Sequence, residues 1–200
     1  NKLEYKLSAL AYTVPCYTSL MSWKIEQFIK DTKVEALHIH DIRIAQAVFN
    51  VNKKYNLPII LDLHDNMPEV MKLYPHLQKF PGKYIISPKK WKQKEEEFIL
   101  KANKVIAVSP EFLETLIARL PLKKDKFVLV PNTIRKAFFE DYKVDLNITK
   151  RYKNKFVILY LGDTNIRRGL ETAISSVEKL KYKIPNLKLV IVGKNTTDTI

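Results

Sequence analysis

Apolar positions along this chain fall into two alternating rhythms. Val34 to His40 is a short apolar run with β-branched character, which predicts a strand. From Ile42 to Tyr55, the residues Ile44, Ala45, Val48 and Val51 recur at helical spacing. Asn56-Leu57-Pro58 should end that helix, because proline cannot continue it and restricts the residue before it. Ile59 to Leu63 then reads as a buried strand. Strand, helix and strand in this order predict a parallel pair with a right-handed crossover.

The pattern recurs. Lys89 to Ala102 reads as a long polar helix and Lys104 to Val108 as a strand. Pro110 to Leu120 is a helix with Phe112, Leu113, Leu116, Ile117 and Leu120 on one face and Pro110 suited to its first turn. Phe127 to Val130 is a further strand. Residues 133–154 lose periodicity and become polar, as a linker with a short helical piece would. A new unit follows: strand Phe156–Leu161, loop Gly162–Gly169, helix Leu170–Lys183 and strand Leu187–Val192, closed by Gly193. The fold class expected is α/β, with Rossmann-like parallel sheets and flanking helices. The expected domains are 1–140, with no first strand legible before residue 34, a linker at 141–155, and 156–200. One strand pair and one helix cannot bury both faces of a sheet, so the second domain is expected to be incomplete.

Composition changes this picture little, and charge changes it more. The hydrophobic fraction is 46%, ordinary for a globular core. No apolar run approaches the roughly 20 residues that cross a bilayer, and no signal-peptide pattern opens the chain. Cys16 is the single cysteine, so no internal disulfide can form, which fits a reducing, cytoplasmic setting. Lys and Arg number 35 against 21 Asp and Glu, a net charge of +14. Such an excess favours anionic partners, although a lysine-rich solvated surface explains it equally well. The basic residues are spread along the chain and show no RNA-binding or zinc-finger spacing, so no nucleic-acid partner is expected.

Three segments could carry chemistry. In Leu61-Asp62-Leu63-His64-Asp65-Asn66-Met67-Pro68-Glu69, His64 sits just past a strand, at the sheet edge where open α/β folds bind ligands. An imidazole there can donate a hydrogen bond or shuttle a proton, or simply cap the strand end. The loop Gly162-Asp163-Thr164-Asn165-Ile166-Arg167-Arg168-Gly169 joins a strand to a helix. Backbone N–H groups at a helix start favour phosphate, and Arg167 and Arg168 offer forked donors for diphosphate oxygens; a basic surface turn is the alternative. Its spacing is neither the GxGxxG fingerprint nor a Walker A loop. Third, Gly193 would let a ligand approach the backbone closely, and Lys194 could meet a phosphate, against a plain turn. His38 and His40 share a strand face and could bind a metal, but no third ligand lies near in sequence. Glu95-Glu96-Glu97 reads as a solvated face, and Ser109 as a helix cap, since no G-x-S-x-G elbow surrounds it.

Several stretches, in order, resemble the GT-B glycosyltransferases of family 4: Ala36–Asp41, Asp62–Asp65 with Pro68-Glu69, Val105–Ser109, Val130-Pro131-Asn132, Ile158–Gly162 followed by Arg168-Gly169-Leu170-Glu171, and Leu187–Gly193. The resemblance implies two Rossmann-like domains facing across a cleft, the first holding the acceptor and the second a nucleotide-diphosphate sugar. It implies transfer of the sugar with retention at its anomeric carbon, usually without a metal or other cofactor. His64 then falls at the family's active-site histidine. Arg168, with Gly162, Arg167 and Gly169 around it, falls at the diphosphate-binding loop, and Gly193 and Lys194 lie on the donor side. Ser109 and Asn132 are candidate cleft residues. Asp163 stands where many members carry arginine, and the family's acidic E-x7-E motif is not within these residues.

The expected activity is hexosyl transfer from a nucleotide sugar to a glycan or lipid-linked acceptor, with this 200-residue piece inactive alone. Association with an anionic membrane, at its inner face, is a further expectation from the resemblance and the charge. Two other readings keep the architecture: a non-catalytic scaffold or binding subunit, and a sugar-nucleotide epimerase.

Overall fold

The structure is a computed structural model and describes residues 8–140 and 143–193. The chain divides into two units, Asn1–Thr133 and Ile134–Ile200. The first contains a sheet of β1 (Leu37–His40), β2 (Ile59–Leu63), β3 (Lys104–Ala107) and β4 (Phe127–Leu129), in that order. Each neighbouring pair is parallel, with His40 opposite Asp62 and Asp62 opposite Ile106. Side chains alternate across the strands. Leu37, Ile39, Ile59, Leu61, Leu63, Val105 and Ala107 point to one face and are buried in the core. His38, His40, Ile60, Asp62, Lys104 and Ile106 point to the other.

Among the described residues this unit includes the helices α1 (Pro15–Thr32), α2 (Ala45–Tyr55), the short α3 (Met67–Met71), α4 (Pro75–Gln78) and α5 (Gly82–Ile85), then α6 (Pro88–Lys101) and α7 (Pro110–Arg119). The expected helix from Ile42 opens as a 3-10 turn, Ile42–Ile44, before α2 proper. Helix α1, which packs against α2, was not foreseen. Its signal is a row at fourfold spacing: Tyr17 and Ile29 are buried, and Met21 and Ile25 pack half-buried on the core between them. Pro15 suits its first turn, and Lys33 stops it in the left-handed region at φ 50°. The turn from Lys33 onward shortens the strand expected from Val34, which begins only at Leu37.

Helix α6 is less polar than its composition suggests. Trp91, Glu95, Phe98 and Ile99 form one buried stripe. Tyr12 meets Trp91 edge-on at 4.7 Å, and Phe49 stacks on Phe98 at 5.2 Å. Glu95 therefore departs from the solvated face expected of it. Its spacing from Trp91 and Ile99 places it inward, and Arg119 meets it there at 2.7 Å.

The second unit holds α8 (Ala137–Glu140), α9 (Leu146–Arg151), β5 (Phe156–Leu161), α10 (Leu170–Leu180) and β6 (Leu187–Val192). Asp145 caps α9, its Oδ1 accepting from the Asn147 N–H at 2.8 Å. Strands β5 and β6 pair in parallel register from Phe156–Leu187 to Leu161–Val192. Their apolar side chains are largely exposed, Leu159 and Leu161 at 62% and 75%. Leu170, at the start of α10, is buried.

Candidate functional site

The carboxyl edge of the first sheet brings together His40, Asp41, Asp62 and His64. At the end of β1 the Asp41 backbone takes φ 68° and ψ 158°, a region costing a non-glycine residue on the order of 1–3 kcal/mol. Its surroundings hold it there. The Asp41 N–H bonds to the Asp62 carbonyl at 2.8 Å, continuing the β1–β2 ladder. Its Oδ1 accepts from the Ile42 N–H at 2.6 Å, and Arg43 Nε lies 3.5 Å from its Oδ2.

Register then brings together what sequence spacing keeps apart. Asp62 of β2 lies opposite His40 of β1, and His64 follows Asp62 on the same face. Asp62 is 6% exposed. Its Oδ2 accepts from His38 Nε2 at 3.2 Å. Its Oδ1 stands 3.7 Å from His64 Nδ1, too far for a hydrogen bond. Neither of these two buried atoms has a hydrogen-bond partner. The His40 and His64 rings meet edge to face, 4.0 Å between centroids. His40, Asp62 and His64 each offer a ligand atom within 4.8 Å of the others, so these three could hold a metal ion.

Beside them lies a cleft of about 310 Å³, lined by His64, Asp65, Asn66, Val108, Ser109, Glu111, Phe112 and Thr115. It sits past the carboxyl ends of β2 and β3, where a parallel sheet receives ligands. Asn66 Oδ1 is buried there with no hydrogen-bond partner. Ser109 caps α7, its Oγ accepting from the Phe112 N–H at 3.2 Å. The Glu111 carboxyl is held below its ordinary value by its own backbone N–H and by the Ser109 hydroxyl. The cleft thus joins His64 and Ser109 from the sequence-predicted set. Asn132 lies in the exposed stretch after β4 and does not line it.

In the second unit the loop after β5 is organised by Asp163. Its Oδ1 accepts from the Asn165 N–H at 3.1 Å, its carbonyl accepts from Tyr160 Oη at 2.6 Å, and Arg168 Nε lies 3.8 Å from its Oδ2. Arg167 and Arg168 close a 3-10 turn, Ile166–Arg168. The Arg168 side chain is half exposed even with this contact. Gly169, at φ 68°, starts α10 without a side-chain cap. Gly162 bonds to the Val192 carbonyl at 2.9 Å, tying loop to β6. The backbone that approaches Gly193 is the chain's own: a Cβ there would fall 2.1 Å from the Gly162 carbonyl oxygen. Lys194 lies outside the described residues.

Sequence reading missed Asp62 and Asn66. The signal for Asp62 was a lone carboxylate in an apolar strand, at a position that faces His40 on one side and Ile106 on the other. Asn66 gave no signal beyond its closeness to His64.

The fold is shared with solved structures. Sucrose-phosphate synthase from Thermosynechococcus elongatus superposes with a TM-score of 0.65 at 14% identity, over 92% of this chain and 43% of that one. TarM superposes with a TM-score of 0.58 at 15% identity, over 90% and 32%. The chain thus spans less than half the length of either. Parallel sheets with flanking helices place it in the GT-B class of α/β folds. Residues 6–137 match Glycosyltransferase Family 4, and the chain belongs to that family. No curated protein matches it. Among the described residues, no helix is long and apolar enough to cross a membrane.

Proposed function

We propose that the chain is part of a retaining glycosyltransferase that moves a hexose from a nucleotide-diphosphate sugar to a glycan or lipid-linked acceptor. The observation that carries this reading is the cleft of a family 4 chain in which His64 Nδ1 and Asn66 Oδ1 lie buried without hydrogen-bond partners. A sugar offers hydroxyls that donate and accept, and both groups would gain by meeting one. Asp62, held by His38, fixes the neighbourhood of the His64 ring. In the second unit the α10 N-terminus and the half-exposed Arg168 suit a diphosphate, whose charge rises as the sugar leaves. The reaction itself needs no metal in this reading.

Transfer of labelled sugar from nucleotide-sugar donors by the whole protein tests this. His64→Ala should lower kcat by about 100-fold or more, the scale of losing one contact made to the reacting sugar. Arg168→Ala should lower kcat/KM for the donor. Full transfer by the His64→Ala protein would overturn the assignment.

A further inference from the structure

The polar face of β1 and β2 supports a second use. We propose that His40, Asp62 and His64 form a binding site for one divalent transition-metal ion of the zinc type, with His38 as the positioning residue behind it. The decisive distance is that between Asp62 Oδ1 and His64 Nδ1, 3.7 Å. It is too long for a hydrogen bond. It is close to the roughly 3.4 Å that separates two ligands of one tetrahedral zinc with bonds near 2.1 Å. Both atoms are buried without hydrogen-bond partners, and a cation between them would satisfy both. His40 supplies the third ligand from the neighbouring strand, each of the three residues offering a ligand atom within 4.8 Å of the others. His40 is exposed at the end of β1, so rotation of its ring can close the set.

The remaining carboxylate oxygen is also accounted for. Asp62 Oδ2 is held by His38 Nε2 at 3.2 Å, the kind of outer partner that orients a ligating carboxylate. Two imidazoles and one carboxylate suit zinc, cobalt or nickel better than magnesium or calcium. Three protein ligands leave a fourth position for water. An ion so placed takes the His64 nitrogen that the transfer reading gives to the sugar, so it would inhibit transfer; that consequence, unlike the binding itself, rests on that reading.

The test is binding of Zn²⁺ to the full chain, by competition with a chromophoric chelator, and of Co²⁺ by its visible spectrum, with no nucleotide sugar present. Failure here and failure of transfer are thereby distinguishable. One ion per chain is expected, with Mg²⁺ failing to compete. His40→Ala, at an exposed position that spares the core, and Asp62→Asn should each weaken Zn²⁺ binding by about 100-fold, and His38→Ala by about 10-fold. His76→Ala, at the remaining histidine, should leave it unchanged. Circular dichroism establishes that each variant is folded. Absence of stoichiometric binding, or binding that His40→Ala leaves intact or that His76→Ala removes, overturns the site.

Discussion

Arg119 Nη2 lies 2.7 Å from Glu95 Oε1, and Glu95 is wholly buried. This pair ties α7 to α6, and it sets the first expectation about stability. Burial pushes the Glu95 carboxyl above its ordinary 4.5, more than the Arg119 guanidinium lowers it. A carboxyl raised in this way stabilises the fold fully below its unfolded value and loses that contribution as pH rises through its folded value.

Arg119→Ala should therefore destabilise the protein by about 3–5 kcal/mol near neutrality, since it strands a buried carboxylate. The loss should shrink between neutrality and a more acidic pH, because the carboxyl takes up a proton instead. Urea unfolding of both proteins at the two pH values measures the difference. An equal loss at both would mean the carboxyl is not the group left stranded.

Gly193→Ala should disrupt the second unit far more than Gly169→Ala. The first substitution drives a methyl to 2.1 Å from the Gly162 carbonyl oxygen and 2.8 Å from the Thr164 methyl, so backbone must move. The second meets open space and costs only the left-handed conformation, about 1 kcal/mol. Limited proteolysis across residues 156–193 should rank them in that order.

Ser109→Ala should cost about 1 kcal/mol through loss of the α7 cap, and Ser109→Asp should restore most of it. Thermal unfolding of the two variants checks this. If the aspartate proved as unstable as the alanine, the Phe112 N–H bond would not be the source of the loss.

Ile29→Ala should destabilise by about 3 kcal/mol, while Phe28→Ser, one position along, should be nearly neutral. Ile29 is buried and Phe28 is 54% exposed. Chemical denaturation of the pair tests the rotational setting of α1.

The strands and the longer helices between them were legible because each carries a periodic apolar signal of its own. Ile59 to Leu63 and Leu187 to Val192 occupy the residues that pattern alone assigns them. Helix α1 was legible in principle, through Tyr17, Met21, Ile25 and Ile29, but its exposed Trp23 and Phe28 blur the stripe. Glu95 misled because charge outweighed register in the reading of α6. At the candidate site, His64 announces itself as a histidine past a strand. Its neighbours could not be found that way: Asp62 and His40 meet only because β1 and β2 pair in one register, and pairing partners are not written in local sequence.

The two-faced sheet of the first unit makes heredity at this site separable. Along β1 and β2, odd positions such as Ile39 and Leu61 decide how much folded protein a cell accumulates, whereas His38, His40 and His64 sit on the opposite parity and contribute little to that yield. A saturation scan of these strands should therefore show abundance scores rising and falling with a period of two. Drift on the even side could reshape ligand preference over generations while the scaffold stays intact.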